Sequence, residues 1–241
     1  MITTPQNHGY LSFSDLPQTV KESFEKQVTE TTKKEEFHRN RSGLFTASEI
    51  HKLITPKIQI AQNKTSRDYI FEKAFERVTG QTARMEVFSK NIEHGNAYEK
   101  QATESYEALT GNKVEFSGDL QKFLKHKTLP IGAYPDGIVL GHVPLECKCP
   151  GNGGEHFKNL ACGQNVSKFM DLRFEYYIQV QTQIMLSESE FGEFFTFRPN
   201  VEDKFSRYYL RVPRNNDVIR QIEEAVKAAA EQLNEIILAI S

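Results

Sequence analysis

Cysteine is scarce: Cys147, Cys149 and Cys162 are the only ones in 241 residues. An odd, small count cannot build a disulfide framework in a chain this long, and it points to a reducing cytoplasm. Long apolar runs are missing too. The longest candidate, Ile236-Ile237-Leu238-Ala239-Ile240, falls far short of the roughly 18 residues a membrane helix needs. No membrane association is expected. The first residues lack the basic and apolar segments of a secretory signal. There is no internal repeat and no low-complexity tract. An excess of one charge is also missing: 30 Lys+Arg against 32 Asp+Glu gives a net charge of -2. That excludes a polycation gripping nucleic acid through bulk charge, but it leaves room for a local basic groove.

What is present is ordinary for a folded chain. Hydrophobic residues make up 38%, and the 17 Phe and 9 Tyr argue against global disorder. The length suits one compact domain, at most two small ones, with a core that needs no staples. Residues 1–14 read as an unanchored arm. A capped helix is expected from Ser14, with Val20, Phe24 and Val28 recurring every four residues. A helix over 68–78 carries Tyr69, Ile70, Ala74, Phe75 and Val78 and is stopped by Gly80. Another over 90–110 carries Ala97, Ala102, Tyr106 and Leu109. Short strands are expected over 113–116, 129–134, 137–140 and 143–148, between Gly- and Asp-rich turns. Residues 151–171 read as a long loop with a short helix. A helix over 174–186, strands over 193–197 and 207–212, and an amphipathic helix over 217–240 complete the chain. The order implies an α/β or α+β domain with a mixed central sheet.

The chemistry concentrates in Pro135-Asp136-Gly137 and Glu146-Cys147-Lys148. On a strand, Glu146 and Lys148 share one face and Cys147 takes the other. A hairpin between the two blocks brings the Asp136 carboxylate beside Glu146. Two adjacent carboxylates repel unless a cation lies between them, and carboxylate and carbonyl oxygens suit Mg²⁺ or Mn²⁺. A lysine beside such a site can orient or deprotonate water and stabilise charge on a phosphate. The apolar neighbours Val143, Leu145 and Cys147 suggest a central strand, where charges need partners. Against this, an Asp-Gly turn and a Glu-x-Lys pair also occur on plain surface hairpins. A third acid, Glu99, shares a helix side with Ala102 and Tyr106; an exposed ion pair is its alternative role.

Four blocks together carry a family resemblance. They are Arg41-Ser42-Gly43 through Thr46-Ala47-Ser48-Glu49; Gly95-Asn96-Ala97-Tyr98-Glu99; Pro135-Asp136-Gly137 with Leu145-Glu146-Cys147-Lys148-Cys149-Pro150; and Gln179-Val180-Gln181. In this order they resemble the phage lambda exonuclease (viral recombinase) family of the PD-(D/E)xK nuclease superfamily. The resemblance implies a restriction-endonuclease-like α/β core, a central mixed sheet flanked by helices. It implies a single nuclease domain over 1–241: arm and helix over 1–36, core with the active site over 37–187, and C-terminal strands and helix over 188–241. It further implies a Mg²⁺-dependent 5′-to-3′ exonuclease that degrades one strand of linear double-stranded DNA and leaves 3′ single-stranded DNA for recombination.

By the same resemblance, Asp136, Glu146, Glu99 and the backbone carbonyl of Cys147 hold the metal, with Mn²⁺ as a substitute. Lys148 activates water, and Gln181 supports it from the next helix. Arg41 holds the 5′-phosphate, assisted by Ser48. Tyr134 departs from the small polar residue the family often has there. A trimeric ring-shaped homo-oligomer, a single-strand annealing protein as partner, and the cytoplasm of a phage-infected or prophage-bearing bacterium are implied as well. An iron–sulfur cluster, which needs four cysteines, is not expected. The competing readings are a structure-specific or restriction-type endonuclease with the same core, and a catalytically dead DNA-binding module. Basic residues group around 113–127, around 158–173 and along 198–214. Phe157 and Phe169 are expected to pack, and the Ile-rich C-terminus is a candidate subunit contact.

Overall fold

The computed structural model describes residues 18–83 and 90–241. The predicted arm over 1–14 and the cap at Ser14 lie outside the described residues. Arg41–Ser241 cluster as one compact unit, and the unit before it contains the helix α1 (Gln18–Arg41). The polar stretch 29–40, which by its sequence could extend the helix or form a solvated loop, is helix.

A five-stranded mixed sheet lies at the centre of the larger unit, in the order β2-β5-β6-β7-β8. Its strands are β2 (Val114–Glu115), β5 (Gly137–Val139), β6 (Val143–Lys148), β7 (Phe191–Phe197) and β8 (Arg207–Pro213). β6 and β7 are parallel, and the other pairings are antiparallel. A smaller sheet has the order β1-β4-β3, from β1 (Phe45–Thr46), β4 (Ile131–Ala133) and β3 (Leu124–Lys125). The predicted hairpin is β5–β6. On its other side β2 packs close to β5 at Gly137, where a Cβ would fall 2.3 Å from Val114 Cγ1. The central placement expected for Glu146 is found, since β6 is the middle strand.

Strand alternation sends neighbouring side chains into two cores. On one face, Leu145, Phe195, Val139 and Val143 pack with Ala102 and Tyr106 of α3 (Lys90–Thr110). On the other, Phe194, Leu210 and Val212 pack with α6 (Phe174–Ser187) and α8 (Asn216–Ile240). α6 is the most enclosed helix; every residue from Tyr177 to Met185 is buried.

Several expectations are corrected. The helix expected over 68–78 is α2 (Lys64–Thr79), which starts early because Asn63 and Ser66 form a reciprocal capping box before its apolar stripe. Phe75 and Val78 are exposed, and the buried side of α2 is Tyr69, Ile70, Lys73 and Ala74. Leu109 of α3 is exposed as well. The expected long loop with one short helix over 151–171 instead holds two helices, α4 (Gly153–Ala161) and α5 (Val166–Leu172). Each is started by an asparagine side chain, Asn152 or Asn165, accepting backbone N–H bonds. Both helices are too short for their period to be read. Phe169 packs at 0% exposure, whereas Phe157 is half exposed. Arg173 is not a surface cation: it is buried between Glu155 and Glu175.

Candidate active site

The site is built at the C-terminal end of β6. Glu146 and Lys148 point to the α6 side, and Glu146 is 1% exposed. The Lys148 ammonium donates to Glu146 Oε1. Glu146 Oε2 accepts from Gln183 Nε2 at 2.5 Å. Asp136 sits where β5 begins, in the plane of the sheet, and its Oδ2 accepts the Cys147 backbone N–H at 2.8 Å. A strand residue turns its N–H and C=O to the same side, so the Cys147 carbonyl also faces the Asp136 edge. Gln121 Nε2 reaches Asp136 Oδ1 at 3.4 Å. Below the ammonium lies the Tyr176 ring, 5.3 Å from Nζ; the Arg173 guanidinium stacks 4.3 Å from the same ring.

This arrangement is electrostatically strained. Burial, and then the charge of Glu146, push the Asp136 carboxyl up to about 8. Burial pulls the Lys148 ammonium down, but Glu146 and Asp136 outweigh it and its pKa is raised. Glu99 from α3 is raised mainly by burial, opposed by a backbone hydrogen bond from Gly118, and its charge acts on Asp136. Its Oε1 is buried without a hydrogen-bond partner, and so is Oε1 of Gln183. Among the described residues, no three His, Cys, Asp or Glu side chains stand close enough, as placed, to ligate one ion. The donor set nevertheless fits a hard divalent cation. It offers a buried and a half-buried carboxylate that repel each other, a third with an orphaned oxygen, and a lysine holding the place of positive charge. The thiols do not compete: burial first, and then Asp136, raise both Cys147 and Cys149, the latter to about 12, so neither is a ready thiolate.

Gln181 does not reach this site. Its amide bridges the turn between β8 and α8, donating to Pro213 O at 2.8 Å and accepting from Asn215 N at 3.0 Å. Two helical residues differ by about 200°, so Gln181 and Gln183 face opposite ways, and Gln183 is the glutamine at the carboxylates. The sequence signal was a run of glutamines at 179, 181 and 183 whose phase could not be read. Tyr176 was missed for the same reason.

Arg41, Thr46 and Ser48 are brought near by β1, which pairs in parallel with β4 just before Pro135. There Tyr69 OH accepts the Thr46 N–H at 3.0 Å, and the Arg41 charge acts on that phenol. Thr46 Oγ1 is buried and unpartnered. Ser48 is exposed at the start of the 3-10 helix Ala47–Lys52. That helix packs on α6, and His51 feels the charge of Glu175 at the α6 N-terminus, next to Tyr176. Tyr134 lies against Phe123, with ring centroids 4.8 Å apart.

The model of the YqaJ-like viral recombinase domain matches residues 36–190, more than half of the chain. No curated protein matches at a significant level. Among solved structures, the alkaline exonuclease LHK-Exo from Laribacter hongkongensis is similar at a TM-score of 0.71 and 25% identity, over 86% of this chain and 95% of that one. Its complex with dAMP gives 0.72 and 26%, with the same coverage. A phage-related exonuclease from Haemophilus somnus 129PT shares the fold at a TM-score of 0.65 and 18% identity, over 82% of this chain and 96% of that one. Among the described residues, no helix is long and apolar enough to cross a membrane.

Proposed function

Because the chain belongs to the YqaJ-like viral recombinase domain family, we propose that it is a Mg²⁺-dependent 5′-to-3′ exonuclease acting on linear double-stranded DNA with a 5′-phosphorylated end. The observation that carries this reading is the convergence of Asp136, Glu146 and Lys148, with Gln183 holding Glu146 from behind. Asp136, Glu146, Glu99 and the Cys147 carbonyl would hold Mg²⁺, or Mn²⁺ in its place. When bound, such an ion supplies charge stabilisation at the scissile phosphate and a more acidic water.

The rest of the mechanism belongs to the chain. As placed, Lys148 is committed to Glu146. Once Glu146 is engaged elsewhere, burial acts on Lys148 with less opposition and lowers its pKa, toward a group that orients water and takes its proton. Gln183 keeps Glu146 from rotating away. Arg41, assisted by Ser48, would grip the 5′-terminal phosphate in a fork. The product is a 3′ single strand, suited to a single-strand annealing partner. A trimeric ring of this chain, in the cytoplasm of a phage-bearing bacterium, completes the proposal.

One digestion series tests it. End-labelled linear and closed circular duplexes are incubated with and without Mg²⁺. Mononucleotide release from 5′-phosphorylated linear ends, only with Mg²⁺, is expected. Efficient cutting of the circle would overturn the exonuclease reading in favour of an endonuclease.

A further inference from the structure

A groove separate from the carboxylate site runs along the edge strand β8. It encloses about 750 Å³ and is lined by Lys204, Arg207, Arg211, Tyr209 and Gln164, with Asp203 as the acid among its described lining residues. Its other wall is the last turn of α3, at Leu109 and Thr110. The position follows from register. Lys148 pairs with Thr196, and Thr196 with Tyr208, so the β8 backbone at the groove's near end lies two strands from that of Lys148, roughly 10 Å at about 4.8 Å per strand, with Arg207, Tyr209 and Arg211 turned to the α3 face and Lys148 to the α6 face. α3 gives an independent measure. Its Glu99 belongs to the acidic cluster, and its Thr110 walls the groove, about 16 Å further along at about 1.5 Å per residue.

The groove is set in place before any ligand arrives. Glu193 of β7 is fully buried and accepts from the hydroxyls of Tyr106 and Tyr209 and from Arg211 Nη2 at 3.0 Å. The Arg211 guanidinium also lies 4.1 Å from the Phe191 ring centre. One cation and one aromatic ring are thus locked on the floor. The side chain of Arg207 has no charged partner among the described residues. Lys204, on the one-turn helix α7 (Asp203–Ser206), pairs with Glu202 in an exposed ion pair that a phosphate can displace, and its ammonium lies 4.8 Å from the Phe205 ring centre. One fixed and two exposed cations with an aromatic side chain along an edge strand match an unpaired polynucleotide, whose phosphates need charge and whose bases stack without sequence preference.

We propose that this β8 groove is a track for single-stranded DNA, receiving the strand that digestion leaves intact. The inference rests on the nuclease reading for which strand arrives, but not for whether an unpaired strand binds. It is tested by fluorescence anisotropy of a labelled oligothymidylate in EDTA, where nothing is cut. The double variant Lys204→Ala/Arg207→Ala changes only exposed side chains. It should bind roughly tenfold more weakly, and its log–log salt dependence should flatten by about 0.7 for each phosphate no longer neutralised. A control double variant on α8, Arg220→Ala/Lys227→Ala, removes the same charge elsewhere and should bind like wild type. Unchanged affinity and salt slope in the groove variant would overturn the proposal. So would an equal loss in the α8 control, which would mean bulk charge, or a loss confined to a blunt duplex. If wild-type protein fails to digest linear duplex with Mg²⁺ while the groove variant still loses oligothymidylate binding, the nuclease reading falls and the groove stands.

Discussion

Two buried carboxylates on adjacent strands make an instructive pair. Glu146 on β6 is 1% exposed and Glu193 on β7 is 0% exposed. Glu193 faces α3 and meets only donors: two tyrosine hydroxyls and an arginine. Glu146 faces α6, meets Lys148 and Gln183, and also has Asp136 beside it as a second acid. Burial of charge is therefore not what marks the candidate site. The mark is like charge left uncompensated, together with acceptors left over: Oε1 of Glu99 and Oε1 of Gln183 are buried and unpaired. The Glu193 cluster is complete as it stands, and the Glu146 cluster is short of a cation.

The largest test of that contrast is to remove one acid. Asp136→Asn keeps the shape and still offers an oxygen to the Cys147 N–H. Outer-shell changes at metal sites typically cost 10–100-fold, so loss of a proposed ligand should lower Mg²⁺-dependent digestion by more than about 100-fold. Initial rates on a 5′-labelled duplex read this directly, and near-normal rates would remove Asp136 from the site. The matching change on the other strand, Glu193→Ala, should act on stability. It leaves the buried Tyr106 hydroxyl without its carboxylate acceptor, at a cost of about 1–3 kcal/mol, while the half-exposed Arg211 turns to water. Urea denaturation measures it; a loss below about 1 kcal/mol would mean the network is not holding β7, β8 and α3 together.

The contrast also explains what could be read in advance. Asp136, Glu146 and Lys148 were legible because a Pro-Asp-Gly turn and a Glu-x-Lys strand carry their own geometry: period two puts the acid and the lysine on one face whatever packs above. The hairpin, the mixed sheet and most helix positions were legible from turn residues and apolar spacing. Glu193 was not, because a single glutamate between Gly192 and Phe194 has no motif, and its partners come from α3 and β8, far apart in sequence. Gln183 was hidden by rotation. Three glutamines two apart on a helix point about 200° from one another, and only the docked helix shows which meets the carboxylate. The helices α4 and α5 were hidden by brevity, since a turn or two of helix has no period.

The glutamines give the next test. Gln183→Ala should slow digestion about 10–100-fold, as a group that orients a ligand, and also leaves the buried Glu146 Oε2 without its donor. Gln181→Ala should spare the rate, since Pro213 O and Asn215 N, the groups it leaves, belong to the turn between β8 and α8. A crossed result would return Gln181 to the site.

The smallest expected effect is a slope. Asp136 is raised from 3.8 to about 8 in the folded chain, by burial first and Glu146 second. Without a divalent ion, the folded state then keeps a proton that the unfolded chain gives up above its ordinary carboxylate pKa. The stabilisation is fully present below that value and is lost as pH rises toward about 8. Between these limits one group contributes at most about 1.4 kcal/mol per pH unit. Urea midpoints in EDTA across this window should fall with pH more steeply for wild type than for Asp136→Asn. With Mg²⁺ present the dependence should invert in origin: ligation needs the ionised carboxylate, so the apparent affinity for the ion should climb until about pH 8 and then level. Equal slopes for wild type and Asp136→Asn would mean that the two acids are not close enough to compete for one charge, and the distinction between the two carboxylate clusters would lose its electrostatic basis.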